Sequence, residues 1–283
     1  MNPNNHLPTI NIFKKNIPKL GIGTWGIGGY MTKSPYSDYV NEITQIKYQL
    51  SKGLSLVDCW IAQGEGGSLE LIRQAIEDFD REKITLLCKF DIHKYKDIVE
   101  LETVFNKYLK QLNTDYIDVF QIHKPVFTNI SERELNIFLM EKIKHGKVGS
   151  FAVSNAKKED LINLKKKIDI PVEANEILYN IFDREYEVNG TIEYCNKNNI
   201  KILAYRPLNR GMTNIAHTSP SFAEIVNRYT LTPNQIALNW LLQKENVLAL
   251  VKSSNRAHIN ENMDCMSITL TLKDLNDLDS WRM

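Results

Sequence analysis

The chain has 283 residues, of which 43% are hydrophobic and 24% charged, a composition typical of a folded globular protein. Its 35 Lys and Arg nearly balance 34 Asp and Glu, and a net charge of +1 argues against a surface for nucleic acid or anionic membrane. The start, MNPNNHLPTI, lacks the apolar core of a signal peptide, and no run approaches the roughly 18 apolar residues of a membrane span, so we expect a cytoplasmic protein. The four cysteines have no metal-ligand spacing, which predicts neither structural zinc nor a disulfide framework.

The chain begins with a predicted hairpin over 8–18, with Lys14, Lys15 and Asn16 at its turn. After it, a short apolar strand, a loop and a helix of 3.6-residue periodicity alternate eight times. The predicted strands cover 20–24, 55–58, 84–88, 116–121, 150–153, 172–175, 201–204 and 248–251. The predicted helices cover 39–52, 68–79, 99–112, 132–145, 157–167, 185–198, 221–243 with a candidate break at Pro233, 255–264 and a short final helix at 272–281.

The regular alternation predicts one parallel α/β domain over residues 1–283, because no linker-like stretch interrupts it. A doubly wound sheet is compatible with the count of elements. Eight regular repeats in this length favour a closed (β/α)8 TIM barrel, whose working face is the ring of strand carboxyl ends.

Polar residues collect at those predicted strand ends. Asp58, Lys89 and His123 follow three successive strands. Each alone is weak evidence, since an Asp after a strand is often a helix cap and a Lys is usually solvated. Together, a buried carboxylate would hold a neighbouring Lys charged and polarise a hydrogen-bond network towards the pocket. The interpretation that these three residues form a catalytic site is favoured over a structural one.

Several segments, in order along the chain, resemble the aldo-keto reductases. They are LGIGTWGIGG (20–29), SLVDCW with GEGGS (55–68), DYIDVFQIHKP (115–125), GKVGSFAVSN (146–155), ANEILYNIFDRE (174–185), AYRPLNRG (204–211) and LVKSSNRAHINEN (250–262). The resemblance implies a (β/α)8 barrel that uses NADPH, or less often NADH, to reduce carbonyls by hydride transfer.

The resemblance also implies roles for individual residues. Asp58, Lys89 and His123 fall on three members of the family's catalytic tetrad. The residues that fall on cofactor-binding positions are Gly23, Thr24, Asp58, Ser154, Asn155, Glu176, Tyr205, Arg206, Leu208, Lys252, Ser253, His258, Glu261 and Asn262. Among them Ser154 and Asn155 would hold the nicotinamide carboxamide, Tyr205 would stack on the nicotinamide, and Lys252 would pair with a 2′-phosphate.

Three departures from the family pattern matter. The tetrad Tyr is replaced by Gln63, whose amide can donate a hydrogen bond but has no dissociable proton near neutral pH. The carboxamide-binding Gln is replaced by Glu176, which could accept from the carboxamide nitrogen or, protonated, serve as a proton source. The Arg that clasps the 2′-phosphate is replaced by His258, with Arg256 nearby. NADP is therefore favoured through Lys252, and NAD remains open.

The loop after the fourth predicted strand is short (125–131), and the chain ends soon after the final helix. We therefore expect an open, shallow pocket, better suited to a polar or bulky substrate such as a sugar, a nucleotide-sugar or a carrier-bound carbonyl than to a large apolar one. We also expect a monomer or weak homo-oligomer that binds no metal, nucleic acid or membrane.

Three functional hypotheses follow. The first is an NADP-dependent oxidoreductase with an altered proton donor, which could be His123, Glu176, a water held by Lys89 and Gln63, or Tyr30. His123 is favoured, because an ordinary imidazole titrates near neutrality. The second is a nucleotide-binding pseudoenzyme that lost turnover with its phenol. The third is an isomerase, epimerase, dehydratase or C=C reductase that uses bound cofactor.

Overall fold

A computed structural model of the chain describes residues 7–211 and 219–281; the first residues, whose polarity argued against a signal peptide, lie outside these ranges. Eight parallel strands close into a barrel, in the order β10-β3-β4-β5-β6-β7-β8-β9. They are β3 (Leu20–Ile22), β4 (Leu56–Trp60), β5 (Thr85–Phe90), β6 (Ile117–Ile122), β7 (Val148–Ser154), β8 (Val172–Leu178), β9 (Lys201–Tyr205) and β10 (Val247–Val251). The closed sheet confirms the predicted (β/α)8 barrel and excludes the doubly wound alternative.

Helices pack around the outside of the barrel. They are α1 (Tyr39–Ser51), α2 (Gly67–Ile76), α3 (Ile98–Leu112), α4 (Glu132–Lys144), α5 (Lys158–Lys167), α6 (Glu185–Val188), α7 (Thr191–Lys197), α8 (Pro220–Tyr229), α9 (Pro233–Leu242), α10 (Arg256–Asp264) and α11 (Leu272–Ser280). Within the described ranges, no helix is long and apolar enough to cross a membrane.

Two predicted helices are each divided in the structure. The helix expected over 185–198 is interrupted at Gly190, whose φ of +75° is incompatible with a continuing right-handed helix. The helix expected over 221–243 ends at Thr230, which has a φ of +54°. Pro233 is then the first residue of α9, and the Thr232 side chain caps it by accepting from the Gln235 backbone.

The hairpin, β1 (Thr9–Ile12) and β2 (Lys15–Pro18), lies where the sequence predicts it, but of the predicted turn residues Lys14 is correct and Lys15 and Asn16 are wrong. Phe13 and Lys14 form the turn with φ of +54° and +58°, whereas Lys15 and Asn16 pair with β1. A two-residue loop with both residues left-handed fits the twist of the flanking strands. The hairpin packs onto the barrel interior through Phe13, and Lys15 pairs with Asp118 of β6 at 2.6 Å. It thereby covers the amino end, opposite the strand carboxyl ends.

The strand periodicity explains why polar groups meet at the carboxyl ends. An apolar layer fills the barrel interior and is formed by Leu56, Leu87, Val119, Ala152, Ala174, Leu203 and Leu248. Side chains two residues further along a strand point to the same side. The next inward positions on β4 to β9 are therefore Asp58, Lys89, Gln121, Ser154, Glu176 and Tyr205. Of these, Gln121 is the one that the sequence did not single out.

Candidate active site

One cleft of about 1560 Å³ lies at the carboxyl ends of the barrel strands. A pocket for a drug-sized ligand usually measures about 300–1,000 Å³, so this cleft has room for a larger ligand. Every site residue predicted from the sequence lines it: Gly23, Thr24, Asp58, Gln63, Lys89, His123, Ser154, Asn155, Glu176, Tyr205, Arg206, Leu208, Lys252, Ser253, His258, Glu261 and Asn262.

Lys89 lies between two buried carboxylates. Its Nζ donates a hydrogen bond to Glu176 Oε1 at 2.9 Å, and Asp58 Oδ1 lies 3.6 Å away, beyond hydrogen-bond distance. Among the described residues, Asp58 Oδ1 and Glu176 Oε2 are buried without a hydrogen-bond partner. The ammonium therefore pairs more closely with Glu176 than with the tetrad Asp.

This cluster shifts the pKa values of its members. Burial raises the pKa of Asp58 to about 6; the Lys89 charge opposes this shift, and the Glu176 charge adds to it. Burial alone would lower the pKa of Lys89, but the charges of Asp58 and Glu176 outweigh it and raise that pKa above its ordinary value. Lys89 is thus held as an ammonium, and Asp58 is the group that can gain a proton near neutral pH.

His123 follows β6 and is half-buried, with its ring 5.1 Å from the ring of Trp60. Burial and the Lys89 charge lower the pKa of His123 to about 4. The imidazole is then neutral at neutral pH. The reason for favouring His123 as the proton source, an ordinary imidazole pKa, therefore does not hold in this environment.

Gln63 lies in the 3₁₀ turn Gln63–Gly66. Its side chain contacts the first loop, which joins β3 to α1 over residues 23–38. Its amide nitrogen donates to the backbone oxygens of Thr24 and, at 3.0 Å, of Ile27. The Thr24 hydroxyl in turn donates to the Asp58 backbone oxygen at 3.0 Å. Since an amide carries two N–H groups, both have backbone partners. Gln63 therefore holds the first loop against β4.

The polar groups predicted for the nicotinamide end lie together. Tyr205 donates its hydroxyl hydrogen to Asn155 Oδ1 at 2.9 Å, and Asn155 Nδ2 donates to Ser154 Oγ at 2.8 Å. The backbone N–H of Asn155, a residue with φ of +57°, donates to the Glu176 backbone oxygen at 2.8 Å. These bonds fix the side chains that face the cleft between β7 and β9.

At the far end of the cleft, the basic residues have separate surroundings. Lys252 is exposed and donates to Ser254 Oγ at 3.1 Å, and His258 is exposed in the first turn of α10. The guanidinium of Arg256 instead lies 4.4 Å from the centre of the Tyr48 ring on α1. Arg256 therefore contacts α1, and of these two residues Lys252 is the one that lines the cleft.

The sequence did not single out Trp60 as a site residue. Its indole N–H donates to Asp91 Oδ2 at 3.0 Å. Trp25 stacks on Trp60 with ring centres 5.7 Å apart, and Tyr30 lies 5.5 Å from Trp25. With His123, these rings form one aromatic wall of the cleft. Trp60 comes two residues after Asp58 in β4, and this strand spacing is the signal that could have found it.

Metal binding has no visible basis in the described part of the chain. No group of three or more His, Cys, Asp or Glu side chains there could hold a metal ion. All four cysteines are buried and unbridged.

The closed barrel, with an acid, a lysine and a histidine at successive strand ends, defines an α/β-barrel protein with an enzyme-like cleft. The sequence matches the family model described as "Aldo/keto reductase family" over residues 19–282. The chain belongs to the aldo/keto reductase family. The resemblance seen in the motifs is thus confirmed, and the chain is an aldo-keto reductase-like oxidoreductase.

Known relatives span nearly the whole chain. Methylglyoxal reductase YeaE of Escherichia coli (strain K12) is 25% identical over 274 residues, covering 93% of this chain and 90% of that protein. Pyridoxine 4-dehydrogenase of the same organism is 26% identical, covering 96% and 97%. A thermostable aldo-keto reductase solved with the inhibitor epalrestat has a TM-score of 0.88 at 32% identity, covering 97% and 99%. An aldo-keto reductase from Klebsiella pneumoniae in complex with NADPH has a TM-score of 0.87 at 23% identity, covering 97% and 95%.

Proposed function

We propose that the protein is an NADP-dependent oxidoreductase that transfers hydride between the nicotinamide and a carbonyl carbon near His123. The observation that carries this proposal is the convergence of Asp58, Lys89 and His123 with the Ser154 and Tyr205 groups in one cleft. The family supports the proposal, because its relatives include named reductases and a dehydrogenase.

The residues present fit a dinucleotide. Glu176 Oε2, which is buried without a hydrogen-bond partner among the described residues, would accept from the carboxamide N–H of the cofactor. Gly23 leaves little room for a side chain, since a Cβ there would lie 3.3 Å from the Lys252 backbone nitrogen, and backbone can approach a ligand closely at such a position. Lys252 would hold a 2′-phosphate at the far end. When bound, the cofactor would supply or accept the hydride.

The protein groups at the reacting end would orient a carbonyl and supply a proton. The neutral imidazole of His123 can donate one hydrogen bond to the carbonyl oxygen. The Lys89 ammonium adds positive charge where negative charge develops. Gln63 supplies no proton, because it is an amide and both its N–H groups bond to the first loop. The proton donor therefore differs from the family's phenol.

The aromatic wall supports a substrate that presents a ring. Trp25 is 37% exposed and Tyr30 63% exposed, so their faces are available beside the reacting end. Large aromatic faces bind flat, partly apolar surfaces well. We therefore propose a carbonyl substrate that carries a ring, such as an aryl ketone or a sugar ring that bears a keto group.

The test compares the rates at which the wild type and Gln63→Tyr reduce simple aldehydes. The loss of NADPH absorbance measures each rate. A general acid contributes about 10²- to 10⁴-fold to rate, so we expect slow reduction by the wild type and a faster rate in the variant. If the variant binds NADPH and its rate stays flat, the missing phenol is not what limits turnover.

The second candidate is a nucleotide-binding protein without turnover. One observation favours it: the Gln63 amide nitrogen donates to two backbone oxygens of the first loop. The residue at the position of the family's proton donor therefore has a structural role. Saturable NADPH binding with no oxidation of NADPH across sugar, aryl and aliphatic carbonyls would support it over the oxidoreductase.

A further inference from the structure

Two departures from the family pattern bear on the proton supply of the site that holds Lys89. Gln63 removes the phenol, and Glu176 adds a carboxylate beside an ammonium that Asp58 would otherwise pair with. Lys89 donates a hydrogen bond to Glu176 at 2.9 Å, whereas Asp58 Oδ1 lies 3.6 Å from the same nitrogen. Glu176 thus accepts the hydrogen bond of Lys89, while the charges of both carboxylates act on the ammonium. Asp58 Oδ1 and Glu176 Oε2 are each buried without a hydrogen-bond partner in the described part of the chain.

We propose that Asp58 and Glu176 have exchanged roles, so that Glu176 is the counter-ion of Lys89 and Asp58 carries the proton that ends on the substrate oxygen. The inference rests on the proposed function and names its altered proton donor. It accounts for both substitutions together, because the added carboxylate at Glu176 lets Asp58 supply what the phenol at position 63 would have supplied.

Charge and burial support a protonated Asp58. Two carboxylates and one ammonium in a buried cluster leave one negative charge uncompensated, and burial disfavours that charge. The shift of the Asp58 pKa to about 6 agrees in direction with this argument. The other titratable or charged groups that line the cleft on neighbouring elements include Tyr30 of the first loop, His123 and Lys124 after β6, and Tyr205 and Arg206 at the end of β9. His123 is neutral at neutral pH, so it adds no charge that would hold Asp58 ionised.

Asp58 is also the member of the cluster most open to the cleft. Its side chain is 13% exposed, compared with 7% for Lys89 and 3% for Glu176. Solvent can therefore return a proton to Asp58 more readily than to Glu176.

The proton steps balance without a further reactant. A bound reduced nicotinamide would supply the hydride for a C–H bond at the carbonyl carbon, and the C=O π electrons of the substrate would move to oxygen. That oxygen takes a proton from the Lys89 ammonium, and Lys89 takes the proton of the Asp58 carboxyl. Asp58 is left as a carboxylate, which water reprotonates. Glu176 stays ionised throughout, so the positive charge at Lys89 is retained.

The test uses two isosteric variants, Asp58→Asn and Glu176→Gln, each first titrated with NADPH to show that the site is folded. Infrared difference spectra between pH 5 and pH 8 then detect the C=O stretch of a protonated carboxyl. We expect this band in the wild type, its loss in Asp58→Asn, and in Glu176→Gln a midpoint lower by about one pH unit or more, because a nearby negative charge is gone. We expect the rate of carbonyl reduction to fall about 10²- to 10⁴-fold in Asp58→Asn.

The pH profile of reduction gives the second readout. The wild-type rate should fall as the pH rises through the pH at which the infrared band is half lost. In Glu176→Gln, the fall in rate should shift to lower pH by the same amount as the loss of the band. A band that survives Asp58→Asn and disappears in Glu176→Gln would make Glu176 the proton carrier and overturn the exchange. Loss of NADPH binding by the wild type would instead refute the proposed function, so the two failures are distinct.

Discussion

Asp58, Lys89 and Glu176 form a buried cluster whose charges do not cancel. The Lys89 nitrogen has the shorter distance to Glu176, and Asp58 carries a pKa raised to about 6 by burial. A group whose folded pKa lies above its unfolded value binds more protons when folded. Asp58 therefore contributes most to stability at a pH below its ordinary pKa of 3.8, and this contribution is lost as the pH rises through about 6.

This sign predicts how Asp58→Asn changes stability with pH. Asn does not titrate, so the free energy of unfolding of the variant should improve relative to wild type as the pH rises from 4 to 7. Two pH units at about 1.4 kcal/mol each give a change of roughly 3 kcal/mol. Urea unfolding at each pH measures it. A difference that is constant from pH 4 to 7 would contradict the assignment.

At this scale the sequence predicted the members of the site but not their partners. Asp58, Lys89 and Glu176 could be found because each ends a strand, and strand ends meet in a barrel. The pairing of Lys89 with Glu176 joins residues 87 positions apart, and the contact of Arg256 with α1 joins residues 211 positions apart. Such pairings depend on side-chain packing across the closed barrel, and no local spacing encodes them.

The turn Gln63–Gly66 follows β4 in the chain and holds the first loop against it through hydrogen bonds. Gly64 has a φ of +56°, and its backbone N–H donates to the Tyr30 oxygen at 2.6 Å. A Cβ at Gly64 would lie 2.8 Å from the Gly28 backbone oxygen. The turn thus holds the loop that carries Trp25 and Tyr30 beside the cleft.

We expect Gly64→Ala to lower the free energy of unfolding more than Gly146→Ala. Both glycines are left-handed, with φ of +56° and +68°, but a Cβ at Gly146 would meet none of the described residues within 4 Å. The control therefore carries the conformational cost of about 1–2 kcal/mol, and Gly64→Ala adds a backbone clash. Urea unfolding of the two variants measures the difference. Equal losses would show that the loop does not rest closely on this turn.

The secondary structure was predictable where it follows from local periodicity and less so at turns. The eight strands and most of the helices were identified because their apolar spacing is regular. The division of one helix at Gly190 and the hairpin turn at Phe13 depend on left-handed residues. Phe is not a residue that usually marks such a turn, so the sequence prediction included Lys14 but missed Phe13 and extended the turn into the first residues of β2.

At the scale of the whole molecule, closure of the barrel brings segments that are distant in the sequence together in one site. β10 pairs with β3, which brings Leu250 beside Gly21 and so sets the Lys252 segment against the first loop. Eight repeats predicted the closure, and with it the order of groups around the cleft. The sequence already assigned the far end of the cleft to Lys252. The contact of the nearby Arg256 with α1 needed the structure, because it joins the first and last parts of the chain.

The most direct test of the proposed NADP-dependent function is an equilibrium titration of the protein with NADPH, monitored by fluorescence. A titration with NADH is run in parallel. We predict saturable binding that is tighter for NADPH than for NADH. Lys252→Met should remove most of that preference, and Arg256→Met, whose guanidinium lies on Tyr48, should leave it nearly unchanged. The absence of saturable binding for either cofactor would contradict the proposed function.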